Sequence, residues 1–166
     1  QRIAAKMRKE REKNGAIGFE TDEVRFRLAP DGTPLEAYVK ERKEAHLLIE
    51  DFMLLANKEV ALYMQPPLKS GARAGQPVPF IFRIHDLPDM EKVTEFARFA
   101  LELGFPMKVD TPKQIAQSFN ALMKKARTDD RLKVLEPLAI RTMAKAVYSS
   151  QNIGHYGLGF THYSHF

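Results

Sequence analysis

The sequence contains no cysteine in its 166 residues, which excludes a disulfide framework, thiol catalysis and cysteine-ligated zinc for this stretch. That fits a reducing compartment, and a cytoplasmic location is the expectation. No apolar run reaches the roughly 18 residues a membrane-spanning helix needs, and no signal-peptide pattern opens the chain. A membrane partner is therefore not expected. No internal repeat suggests a solenoid. Carboxylates are missing after Glu136, so His155, His162 and His165 lack the local acidic partners that orient metal-bound imidazoles. They are expected to make separate hydrogen bonds or aromatic contacts, and no metal ligand is assigned.

What is present has the balance of a soluble globular protein, 44% hydrophobic and 28% charged, with length for one domain or a large piece of one. The formal net charge of +5 tilts the expectation toward polyanionic partners. The chain opens on Gln1 inside a charged, helix-like run and stops at Phe166 without turn punctuation. Both ends read as internal to a longer protein.

Residues 1–14 carry Arg2, Lys6, Arg8, Lys9, Arg11 and Lys13 around a thin apolar stripe of Ile3, Ala4 and Met7, a solvated helix stopped near Asn14-Gly15. Residues 16–19 allow a short extended piece. Val24, Phe26 and Leu28 then alternate with arginines, and Leu35, Ala37 and Val39 alternate with Glu36, Tyr38 and Lys40, across Pro30-Asp31-Gly32-Thr33. This predicts an antiparallel hairpin. From Glu41 to Met64 the period turns helical, with one broad apolar arc, a second stripe, and a narrow polar seam of His46, Glu50 and Asn57 between them. A helix apolar on two sides is expected to be buried, and its seam must be paired or face a wet channel. The Pro- and Gly-rich stretch 65–79 reads as a surface loop. Phe80–Ile84 suits a strand, and helices are expected from Pro88 to Gly104, from the capping-box pattern Thr111-Pro112-Lys113-Gln114, and from about Leu135 to Tyr148. The fold class expected is α+β: an antiparallel β-hairpin followed by a mainly helical bundle packed around the 41–64 helix.

Few motifs carry chemistry on their own. Gly154, Gly157 and Gly159 follow a helix where a nucleotide-binding loop would follow a strand, which removes a dinucleotide or P-loop site and any small-molecule cofactor. Ser149, Ser150 and Ser164 lack a nucleophile elbow. The carboxylate pairs Glu50-Asp51 and Asp129-Asp130 are adjacent on helices, about 100° apart, so neither pair can readily share an ion. Glu50 stands out because it lies in the polar seam. Basic residues interleaved with aromatics, as in Phe19, Arg25, Phe26 and Arg27, suit single-stranded nucleic acid, where cations follow phosphates and rings stack on bases.

Asn14-Gly15-Ala16-Ile17-Gly18-Phe19-Glu20, the run Glu41–Asn57, Phe82-Arg83-Ile84-His85-Asp86, and Asn152–Phe160 with Tyr163-Ser164-His165-Phe166 resemble, in that order and spacing, the RNB catalytic domain of the ribonuclease R and ribonuclease II family. The resemblance runs over essentially the whole chain. It implies part of an RNB domain over 1–166, within a magnesium-dependent enzyme that degrades single-stranded RNA processively from the 3′ end to nucleoside monophosphates. It also implies that the metal-binding aspartates lie upstream of Gln1 and that an arginine-bearing motif begins after Phe166, so this chain holds no catalytic residue and alone should be inactive. Phe19 matches the aromatic position that clamps the terminal bases, and Glu50 an acidic position near the nucleotides. His155 and His165 fall in matching motifs, lining or supporting the RNA channel. The alternative is a non-catalytic RNA-binding or scaffolding relative of the same fold, and a helical protein-protein module is the remaining, blander reading.

Overall fold

The computed structural model describes residues 2–18, 23–65, 75–76 and 78–166. Helix α1 (Arg2–Lys13) ends where Gly15 takes a left-handed φ of 92°. Strands β1 (Val24–Leu28) and β2 (Pro34–Val39) pair antiparallel with Val24 opposite Val39 and Phe26 opposite Ala37. The turn between them is closed by Asp31, whose carboxylate accepts from the Thr33 amide. Helix α2 spans Glu44–Tyr63, and β3 (Phe82–Ile84) follows.

Asp89 caps helix α3 (Met90–Glu102), accepting from the Glu91 and Lys92 amides. Helix α4 (Pro112–Ala126) opens with the expected reciprocal cap, in which Thr111 accepts from the Gln114 amide and the Gln114 side chain accepts from the Thr111 amide. Short helices α5 (Asp130–Lys133) and α6 (Leu135–Arg141) meet at Val134. Strand β4 (Val147–Ser149) returns antiparallel to β3, and a single 3₁₀ turn covers Tyr156–Leu158.

The core lies among α3, α4, α5 and α6. Val93, Phe96, Ala100, Ile115, Phe119, Leu122, Leu132, Leu135 and Ala139 form one buried cluster. Ile115, Phe119, Leu122 and Met123 are the α4 face the spacing predicts. On α3 the buried face is rotated toward Phe96, leaving Met90 and Leu101 about half exposed. The final helix stops at Arg141 rather than Tyr148, because residues 147–149 pair with β3 instead.

The largest departure concerns α2, which is not the buried centre of the bundle. Only Asp51, Asn57 and Ala61 are buried along it, while Ile49 (60%) and Met53 (51%) stay exposed. Phe26 (60%) and Leu35 (64%) of the hairpin are exposed as well. The sequence pattern records that these faces are apolar, but the buried cluster is built from α3 onward, so neither contributes to it.

The attachment of α2 to α1 is ionic. Asp51, 2% exposed, accepts from Arg8 Nε at 2.9 Å and from Arg11 Nη2 at 2.5 Å. Adjacent helical residues point about 100° apart. Fixing Asp51 toward α1 therefore turns Glu50 away from it, toward the C-terminal segment.

Candidate nucleic-acid interface

The segment after β4 is held in place by backbone contacts that leave little freedom. The Asn152 side chain accepts from the Gly154 amide and donates to the Thr161 carbonyl. Gly154, at φ 83°, passes so close to the Phe160 carbonyl that a Cβ there would sit 3.0 Å from its oxygen. The His85 amide donates to Gly154, the Tyr156 amide donates to His85, and the Gly157 amide donates to His85 Nδ1 at 3.1 Å. Farther along, the Arg83 amide donates to the Tyr163 carbonyl and Ser164 Oγ to the Ile81 carbonyl at 2.7 Å. The strip is thus stitched to β3 and its flanks, and its last residues are carried to α2.

There it meets the polar seam. Asn57 Nδ2 lies 3.4 Å from the Tyr163 hydroxyl and 3.3 Å from His165 Nδ1, and the hydroxyl lies 3.3 Å from the same ring nitrogen. Tyr148 donates its hydroxyl to the His165 carbonyl at 2.8 Å. His165, Tyr163 and Asn57 line one wall of a cleft of about 340 Å³ whose other walls include Lys40, His46, Ile49 and Glu50. Glu50 is paired with Arg42 at 2.5 Å, and His46 Nδ1 accepts from the Lys43 amide at 3.1 Å. The expected seam is therefore wet along His46 and Glu50 and internally paired at Asn57.

His155 is elsewhere. Its ring stacks on His85 at 5.0 Å and meets Tyr163 edge-on at 5.3 Å, lining a neighbouring hollow of about 540 Å³ with Tyr156 and Phe160. Burial, with the nearby His85 adding to it, pushes the His155 ring down to about 4, and burial also lowers His85. Both rings are neutral at pH 7. Burial pushes the Tyr156 phenol up to about 12, and its hydroxyl donates to the Pro112 carbonyl at 2.8 Å.

The structure thus brings Glu50 and His165 to one cleft and sets His155 behind Tyr163. Phe19 lies outside the described residues. His162 contacts Thr161, so the three C-terminal histidines have three separate environments. Among the described residues no group of three or more histidine, aspartate or glutamate side chains could hold a metal ion. The described residues therefore do not fit a magnesium site, whose ligands the resemblance places upstream of Gln1. No described helix is long and apolar enough to cross a membrane. The sequence gives Asp51, Tyr163 and His85 no individual role, and for Asp51 only the position of α1 makes it an anchor.

The family model for the RNB domain matches residues 1–166. The chain belongs to the RNB domain family. Ribonuclease R of Ureaplasma parvum is 30% identical over 161 residues, covering 96% of this chain and 22% of that protein. The RNB chain thus spans about a fifth of the length of that curated relative. Its fold is similar to that of RNase R from Mycoplasma genitalium, with a TM-score of 0.81 at 22% identity over 99% of this chain and 24% of that one. The same Mycoplasma protein has been solved with ribose-methylated single-stranded RNA and with double-stranded RNA. A more distant likeness is to yeast Ssd1, described as a pseudonuclease, with a TM-score of 0.57 at 20% identity over 76% of this RNB chain and 15% of that one.

Proposed function

We propose that the protein containing this chain is a cytoplasmic 3′→5′ exoribonuclease that processively hydrolyses single-stranded RNA to nucleoside monophosphates, using magnesium held outside these residues. Residues 1–166 are then part of one RNB catalytic domain and form a wall of its RNA path. The observation that supports this reading is the cleft shared by Glu50 and His165, because two motif segments far apart in sequence converge there. The Glu50 carboxyl group and the His165 imidazole offer an acceptor and a donor suited to ribose hydroxyls and phosphate oxygens. His155 acts behind that wall as a support for Tyr163, and Phe19 supplies a ring for stacking on a terminal base.

Incubating the full-length protein with 5′-labelled single-stranded RNA and magnesium tests the reading. Progressive loss of 3′ nucleotides with mononucleotide release is expected, and the isolated 166-residue chain should leave the RNA intact. Phe19→Ala in the full-length protein should lengthen the final product. A full-length protein that binds RNA without shortening it would instead establish the non-catalytic reading, for which the likeness to a protein described as a pseudonuclease speaks.

A further inference from the structure

We propose that Asn57 is a positioning residue that holds His165 with its proton on Nε2, so that the cleft presents an N–H donor to an oxygen of the bound RNA. The inference rests on the reading of the cleft as an RNA-binding wall.

Asn57 is 5% exposed, and its amide nitrogen, which can only donate, lies within hydrogen-bond distance of His165 Nδ1 at 3.3 Å. An Nδ1–H would set two donors against each other in a part-buried contact. With Nδ1 bare, its single lone pair accepts from the Asn57 amide or the Tyr163 hydroxyl, Asn57 also donates to the Tyr163 oxygen, and no donor faces a donor. A neutral imidazole with Nδ1 bare carries its proton on Nε2. Tyr163 is 5% exposed, and the Tyr148 hydroxyl bond to the His165 carbonyl restrains the backbone, so the ring is held at both ends. The acceptor such a donor takes is a phosphate or ribose-hydroxyl oxygen.

In the wild-type protein the neutral His165 ring already donates from Nε2 and needs no added proton to do so. Asn57→Asp reverses the arrangement with almost no change of shape. A carboxylate accepts from Nδ1–H, and the neutral ring then turns a bare Nε2 toward the RNA, while only the protonated ring still donates. The other charged and titratable groups facing the cleft, Lys40, His46 and Glu50, are the same in both proteins, so the ratio of the two affinities cancels them.

The experiment measures binding of a single-stranded oligoribonucleotide to the full-length protein in EDTA between about pH 6 and about pH 9. The ratio of Asn57→Asp to wild-type affinity should fall about tenfold across that range, the worth of roughly one hydrogen bond to a charged or polar partner. The added carboxylate is offset by the imidazolium at low pH and uncompensated at high pH, so repulsion of RNA also lowers the ratio; repeating the titration at raised salt screens that repulsion, and the hydrogen-bond part of the fall remains. His165→Phe should weaken binding about tenfold at every pH. If the fall persists with a deoxyoligonucleotide of the same sequence, the acceptor is phosphate; if it disappears, the acceptor is the ribose hydroxyl. A pH-independent ratio together with a weak His165→Phe overturns the tautomer assignment and leaves the cleft standing. Unchanged binding by His165→Phe overturns the cleft reading itself. Should Asn57→Asp not fold, ring-¹⁵N spectra of the histidine-labelled wild-type protein decide: a neutral His165 protonated at Nδ1 refutes the proposal.

Discussion

Replacing Asp51 by asparagine should release α1 from α2. The carboxylate accepts charge-assisted bonds from Arg8 and Arg11 while itself only 2% exposed, and such bonds contribute about 1.5–3 kcal/mol each. The asparagine oxygen can keep one of them, while its N–H₂ faces the other guanidinium. The two arginine side chains are 29% and 15% exposed, so they recover part of their hydration. The net loss is about 3 kcal/mol. Helix α1 has little to offset it, because Ala4 is its one buried residue. Peptide-resolved hydrogen exchange of the full-length protein reads the result. Amides of Arg2–Lys13 should exchange on the order of a hundredfold faster in Asp51→Asn, while those of Pro112–Ala126 in the core keep their protection. Arg11→Leu, which leaves the Arg8 bond intact, should give a smaller acceleration. Unchanged exchange in α1 would refute the view that this ion cluster is its attachment, and equal acceleration in α4 would show the effect to be global.

Two further outcomes follow from the C-terminal strip. His155 has a folded value of about 4 against an ordinary 6.5, so as pH falls the unfolded chain takes up the proton first. The stability it contributes is present above about pH 6.5 and is lost on descending to about pH 4, by about 1–2 kcal/mol once solvent screening of the partly exposed ring is allowed for. His85 acts in the same direction. Thermal melts of wild type and His155→Gln across that range should show a shallower acid slope in the variant, and parallel slopes would contradict the assignment. Gly159→Ala should cost more than about 2 kcal/mol, because its φ of 65° is left-handed and the new Cβ would lie 2.9 Å from the Ala16 nitrogen. Gly104→Ala, with φ 81° and nothing within 4 Å, bears only the backbone strain of about 1 kcal/mol, so the order of their melting temperatures checks the close-approach argument.

Most of the local elements, and the family, are legible in the sequence alone. The Thr111 capping box, the glycine stop after α1, the hairpin about Asp31-Gly32 and the α4 core face follow from short-range patterns whose physics involves residues a few positions apart. Tertiary structure alone decided which apolar faces are covered. Helix α2 is more apolar along its length than α4, yet α4 is buried by α3, α5 and α6 while α2 keeps Ile49 and Met53 exposed, because burial depends on partners that composition does not name. The same holds for the site. The seam of His46, Glu50 and Asn57 was legible from helical geometry, but its meeting with Tyr163 and His165 required the backbone stitching along β3. Asp51 and Glu50 are neighbours with the same charge, and only the arginines of α1 make one a buried anchor and the other a wall of the cleft.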